Sequence, residues 1–163
     1  MEQQSPYIMA LKEAIGYDQE MVTFLHNTMT RENAETIINK GFRFYSHLDY
    51  TTDVVSAKDD ITITYFKLVR SAYGPFTIII QMNKEIIQYY SDLLLDRHNH
   101  FSELLTLEMP EKSNDEEWIY TLAPNFVKGY VDSRFPCFFP NNKFNPSLKH
   151  PEFEKNMQHL RNH

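Results

Sequence analysis

Cysteine is almost missing from this chain: Cys137 is the single one in 163 residues. That excludes an internal disulfide framework and fits a reducing compartment. It stands in SRFPCFFP, where the expected role is a small apolar packer beside a proline turn rather than a nucleophile. Glycine is scarce too, with Gly16, Gly41, Gly74 and Gly129 spread along the sequence. None belongs to a glycine-rich phosphate loop, which excludes P-loop chemistry and the usual dinucleotide-binding turn. No apolar run approaches the length of a membrane span, and the opening MEQQSPYIMALKEAIG lacks the basic-then-apolar order of a secretory leader. The expectation is a soluble, intracellular, cytoplasmic protein that does not engage a membrane. Net positive charge is also absent. At -6 overall, the charge argues against nonspecific binding to a phosphate backbone, which demands a basic face, and leaves room for a local basic patch.

What is present is aromatic. Phenylalanine, tyrosine and tryptophan make up 14% of the residues, against 23% charged, which is the composition of a folded globule. The length suits one domain with a single core. Pro6 to Ile15 reads as a short helix ending at Gly16, and Glu20 to Leu25 as a first strand. Thr30 is an expected N-cap for a helix from Arg31 to Lys40, closed by Gly41 in a left-handed C-cap, with Ala34, Ile37 and Ile38 as its buried stripe. Phe42 to His47 reads as extended, and Asp59 or Asp60 caps a helix through Tyr73.

The run Pro75 to Met82, PFTIIIQM, is the clearest strand. Its β-branched residues predict a central position covered on both faces. Lys84 to Leu95 reads as helix, Asp96 to Glu103 as irregular, and MPEKSNDE from Met109 to Glu116 as loop. Two strands follow, Glu117 to Leu122 and Val127 to Asp132. Residues 133–163 read as an irregular C-terminal extension draped over the core, with a last helix from Pro151 to Arg161. Helices and strands alternate first and strands cluster later, which predicts a single α+β domain with a mixed, mostly antiparallel split sheet.

Seven histidines invite a metal reading. His98 and His100 in DRHNH are one residue apart without a cysteine or a helical partner, and His150, His159 and His163 lie in the tail. No zinc spacing is met, so no metal is expected. The other constellation is His26 after the first strand, Tyr45 and Tyr50 in FRFYSHLDYTTD, and Glu117 opening EWIYTL. On local grounds His26 is as readily a strand-ending core histidine, and Glu117 as readily the end of a solvated loop.

The order LHNT, then a helix ending in GF, an aromatic stretch, YGPFTIIIQM, and finally EEWIYTLAPNFVKGYVD resembles the ADP-ribosyltransferase superfamily. It is most similar to the His-Tyr-Glu group of poly(ADP-ribose) polymerases and diphtheria-toxin-like enzymes. The resemblance runs from Val22 to Asp132 and implies an ADP-ribosyltransferase-like fold that takes NAD as a substrate. It implies further that Glu117, with Glu116 as the register alternative, hydrogen-bonds a ribose hydroxyl and stabilises an oxocarbenium-like state. Tyr45, or else Tyr50 or Tyr65, would stack on nicotinamide. His26 would orient the adenosine ribose and the nicotinamide amide, and Asn27, Thr28 and Tyr50 would complete the NAD contacts. Asn27 stands where the family commonly has glycine, and GFRFYS only approximates the family's glycine-aromatic-phenylalanine-serine signature. ADP-ribosyl transfer to a protein or nucleic-acid acceptor is one expectation. The alternative is a noncatalytic module on the same fold that binds a protein partner. An RNA 2′-phosphotransferase would need clustered arginines, and those of this chain are scattered.

Overall fold

The apolar run FTIIIQMN can leave neither face in water. In the computed structural model of the chain, which describes residues 6–54, 73–94 and 99–161, it forms the central strand of a five-stranded sheet. With the described strands numbered in chain order, that sheet runs β3 (Thr52–Val54), β1 (Met21–Thr28), β4 (Phe76–Asn83), β7 (Val127–Asp132) and β8 (Cys137–Pro140). A smaller sheet holds β2 (Phe42–Phe44), β6 (Trp118–Leu122) and β5 (Glu111–Lys112) in the order β2-β6-β5. Every strand pairing among the described residues is antiparallel. Four described helices flank the sheets: α1 (Pro6–Ile15), α2 (Arg31–Lys40), α3 (Lys84–Leu93) and α4 (Pro151–Arg161). The chain is therefore a single-domain α+β fold with antiparallel sheets and flanking helices.

Strand alternation explains the two cores. Ile78, Ile80 and Met82 of β4 join Phe42, Phe44, Tyr120 and Leu122 in the larger one, together with Tyr90 of α3 and Phe153 and Leu160 of α4. Ile79 points the other way and packs with Leu25, Val131 and the buried stripe Tyr7, Leu11 and Ile15 of α1. Each such buried side chain is worth about 1.5–3 kcal/mol. Polar residues on the α1 side are paired: the Tyr7 hydroxyl lies 2.7 Å from Thr77 Oγ1, and Gln81 Nε2 donates to the Ile15 carbonyl at 2.7 Å. On the opposite side α2 is fastened to β7, where the Tyr130 hydroxyl donates to Glu35 Oε1 at 2.7 Å.

Several boundaries fall where the sequence places them. Helices α1, α2 and α4 keep their expected limits, and the Thr30 side chain accepts from the Asn33 N–H as an N-cap. Ala34 is fully buried, whereas Ile37 and Ile38 are only partly so and pack against the core edge. Gly41 donates to the Ile37 carbonyl, but its φ of 104° and ψ of 173° lie outside the left-handed helical region. Glycine is needed there because a Cβ would sit 2.0 Å from the Leu122 carbonyl oxygen.

Other boundaries are corrected. β1 continues past Leu25 to Thr28, because His26, Asn27 and Thr28 pair with Ile78, Thr77 and Phe76 of β4. His26 and Thr28 are thus strand residues, and the chain turns only after them. MPEKSNDE is not all loop: Glu111 and Lys112 pair with Ile119 and Trp118. Residues 133–163 are not an irregular extension. Cys137–Pro140 adds an edge strand to β7, and α4 places Phe153 and Leu160 in the core. The helix expected from Asp59 or Asp60 falls almost wholly outside the described residues, as does Tyr65.

Candidate functional site

The loop after β2 has an unusual backbone. The Asp49 N–H donates to the Ser46 carbonyl at 3.0 Å across a turn whose central residues, His47 and Leu48, both have positive φ, 55° and 51°. That is the pattern of a type I′ turn, which ordinarily selects glycine or asparagine. Tyr50 follows at a φ of 67°. Each of these non-glycine residues carries about 1–2 kcal/mol of strain. Burial of the Leu48 side chain offsets part of it, and two side-chain bonds brace the loop: Asp49 Oδ1 accepts from the Tyr45 N–H, and Thr51 Oγ1 donates to the Leu48 carbonyl. The result displays Tyr45 and Tyr50, 38% and 69% exposed, with ring centroids 6.4 Å apart.

Facing this loop is the β5–β6 hairpin. Glu116 N–H donates to the Ser113 carbonyl and adopts a φ of 63°, the left-handed residue that closes a three-residue hairpin loop. Ser113 then holds the next residue from both sides. Its N–H donates to the Glu117 carbonyl, and its Oγ accepts from the Glu117 N–H. Glu117 is therefore fixed by its main chain immediately before β6, with its carboxylate in water.

Between loop and hairpin lies a cleft of about 750 Å³. Tyr45, Asp49 and Tyr50 form one wall; Glu116, Glu117 and Trp118 form the other; Glu103 and Tyr120 are also in the lining and are nearly buried. Every charged residue among the described residues of the lining is acidic. A smaller hollow of about 240 Å³ is lined by His26, Thr28, Asn33, Arg43 and again Tyr50.

His26 Nδ1 lies 2.9 Å from the Tyr50 carbonyl. A carbonyl only accepts, so Nδ1 carries the hydrogen and Nε2 is left as an acceptor. Burial lowers the His26 pKa, partly offset by the Tyr50 carbonyl, and keeps the ring neutral. Its ring meets Phe42 edge-on at 4.8 Å. Thr28 Oγ1 accepts from Asn33 Nδ2 at 3.2 Å, which ties the strand end to α2.

Tyr45, Tyr50, Glu116 and Glu117 are thus brought to one cleft. His26 and Thr28 line the adjoining hollow, and Tyr50 belongs to both. Asn27 is a correction. Alternation along β1 turns it to the opposite face, where it is 8% exposed and donates through Nδ2 to the Gly74 carbonyl at 2.8 Å, so it cannot contact a ligand in either hollow.

The sequence reading missed Glu103. It ends the short 3₁₀ turn Phe101–Glu103, and its Oε2 accepts from the His100 N–H at 3.2 Å in a capping box. Burial raises its pKa, and the His100 amide, the charge of His47 and the His47 amide partly offset the rise. Its signal was an acid set in FSELL, an apolar frame that a solvated glutamate would not need.

Histidines serve as caps in two places. His100 Nδ1 accepts from the Ser102 N–H, and His150 Nδ1 accepts from the Glu152 N–H at the start of α4. Among the described residues no group of three histidine, cysteine or acidic side chains is placed to hold a metal ion. His100 is pushed down from 6.5 to about 4 by burial and by His47, whose ring centroid is 5.1 Å away. A lowered histidine contributes stability that is present above the unfolded value and lost as pH falls from about 6.5 to about 4. The loss expected from His100 is on the order of 2 kcal/mol after allowance for its partial exposure. Glu103 acts with the opposite sign, since a raised carboxyl favours the folded state at low pH and loses that contribution as pH rises through its folded value. Denaturant titrations of wild type and His100→Asn across this range isolate the histidine: asparagine keeps a capping acceptor, and the variant should show the shallower pH dependence. Equal slopes would contradict the assignment.

No family model matches the chain, and neither does any curated protein or solved structure.

Proposed function

We propose that the chain binds NAD with its nicotinamide end in the larger cleft and transfers ADP-ribose to a macromolecular acceptor. The observation that carries this reading is the grouping of Tyr45, Tyr50 and Glu117 around one cleft, bordered by a neutral His26 hydrogen-bonded to the Tyr50 main chain. Breaking the bond to nicotinamide develops positive charge on the ribose. A carboxylate beside that carbon stabilises the charge most in the transition state, where it contributes to rate. Glu117 takes this role because its main chain is pinned while its carboxylate is free. The tyrosine rings offer faces for the nicotinamide, a cation before cleavage. His26 and Thr28 line the hollow where the remainder of the dinucleotide would run, and Arg43 is the cation there for its diphosphate. Among the described residues Arg43 is held by an exposed pair with Glu111 at 3.2 Å, an interaction weak enough to exchange.

One observation favours a noncatalytic protein-binding module instead: the charged side chains in the described lining of the cleft are all acidic, and a diphosphate is repelled from them. Calorimetry with NAD, paired with a nicotinamide-release assay on the same sample, separates the two. Binding with release is the expected result. Absence of binding at millimolar NAD would sink the transferase and leave the module.

A further inference from the structure

The innermost residues of the cleft have no role in NAD cleavage as described. Tyr120 is 6% exposed and lines the cleft, and its hydroxyl has no hydrogen-bond partner among the described residues. Burial, and then the charge of Glu103, raises its pKa to about 12, so it remains a proton donor at any physiological pH. Glu103 is 5% exposed and lines the same cleft. Its carboxylate takes the His100 N–H at Oε2 and is also held by the His47 main chain and charge, while the described lining of the cleft holds no lysine or arginine. A nearly buried tyrosine that turns its hydroxyl into the cleft, and a nearly buried carboxylate held by main-chain N–H groups with His47 as its charged neighbour, together mark this end of the cleft as a binding site, since both gave up much of their water on folding.

We propose that this part of the cleft receives a cationic nitrogen side chain of a protein, guanidinium or ammonium, and that this side chain is the acceptor of ADP-ribose. The transfer rests on the NAD reading; the binding of the cation does not. Asp49, Glu116 and Glu117 give the approach the same negative sign, and the Trp118 and tyrosine rings add faces on which a cation is stabilised. A nucleic-acid acceptor would bring phosphates into that field and be repelled.

The acceptor nitrogen bonds to the ribose carbon as the bond to nicotinamide breaks and its electron pair leaves on nicotinamide. The nitrogen gives one proton to Glu103 before or as the new bond forms, because an ammonium has no electron pair to attack with, and a guanidinium only a delocalised one, until that proton leaves. Burial, which raises the Glu103 pKa, makes its carboxylate a stronger base than an exposed glutamate.

The test uses NMR titration of the full chain without NAD. Blocked single residues, the Nα-acetyl amides of arginine, lysine and citrulline, are added to wild type, Glu103→Gln and Tyr120→Phe. Arginine or lysine should bind at least about tenfold more tightly than citrulline, which matches arginine in shape and lacks its charge. Glu103→Gln should weaken the cation at least about tenfold, and Tyr120→Phe by a smaller factor. Preference between arginine and lysine identifies which cation the site takes. Equal binding of citrulline and arginine, or no binding of either cation, overturns the proposal on wild-type protein alone, whether or not the variants fold. Cation binding in a protein that fails to bind NAD would reject the transferase and retain the site.

Discussion

Gly41→Val protein is expected to lose more than about 4 kcal/mol of folding stability, a large part of the 5–15 kcal/mol typical of a domain. At a φ of 104° any side chain is strained, but the larger effect is contact. A Cβ at Gly41 lies 2.0 Å from the Leu122 carbonyl oxygen and 3.0 Å from Thr121 Cγ2. The carbonyl is main chain in a paired strand and cannot swing aside. Relief requires β2 to part from β6, where Phe42 pairs with Leu122, and both of those residues are core. The comparison that decides the mechanism is alanine at two glycines. Gly16, at a φ of 78°, has nothing within 4 Å of an added Cβ, so Gly16→Ala should cost only about 1 kcal/mol. Gly41→Ala should already show most of the valine effect. Equal denaturation midpoints for the two alanine variants would refute the clash.

On the transferase reading, Glu117→Gln should reduce nicotinamide release by about a hundredfold to a thousandfold or more, the usual effect of removing one electrostatic stabiliser of a transition state. NAD affinity should change little, because the carboxylate acts mainly on charge that develops during cleavage. Stability should stay within about 0.5 kcal/mol, since the side chain is exposed and the hairpin bonds at Glu117 come from its main chain. Glu116→Gln is the control for register. It retains the left-handed backbone and removes the neighbouring charge, so loss of release in that variant with retention in Glu117→Gln would move the catalytic role by one residue. Full turnover in both would remove the hairpin from the mechanism.

The legible parts of this fold were those decided by local chemistry. Thr30 and Gly41 bracket α2, Gly16 ends α1, and the unbroken apolar run of β4 requires cover on both faces. What misled was tertiary pairing. β1 extends to Thr28 because β4 is long enough to pair with it, and nothing in HNT reports the length of a partner 50 residues away. Cys137–Pro140 has no strand signature of its own and becomes a strand because β7 presents an open edge. In the cleft, Tyr45, Tyr50 and Glu117 were identifiable as candidates. Asn27 was misassigned because a residue-by-residue motif ignores strand alternation, and Glu103 was passed over because its partners, His47 and His100, are distant from one another in sequence.

The left-handed backbone of His47, Leu48 and Tyr50 bears on when the site can exist. In an isolated segment the local bonds of Asp49 and Thr51 would face three strained residues without a buried Leu48 to offset them, and the backbone would relax to ordinary negative φ values. The finished core, by engulfing Leu48, and β1, by hydrogen-bonding the Tyr50 carbonyl through His26, supply what those local bonds lack. The wall that carries both tyrosines is therefore a late product of folding, completed by the body of the domain and not by its own residues alone, and a partly folded chain has no site to misuse.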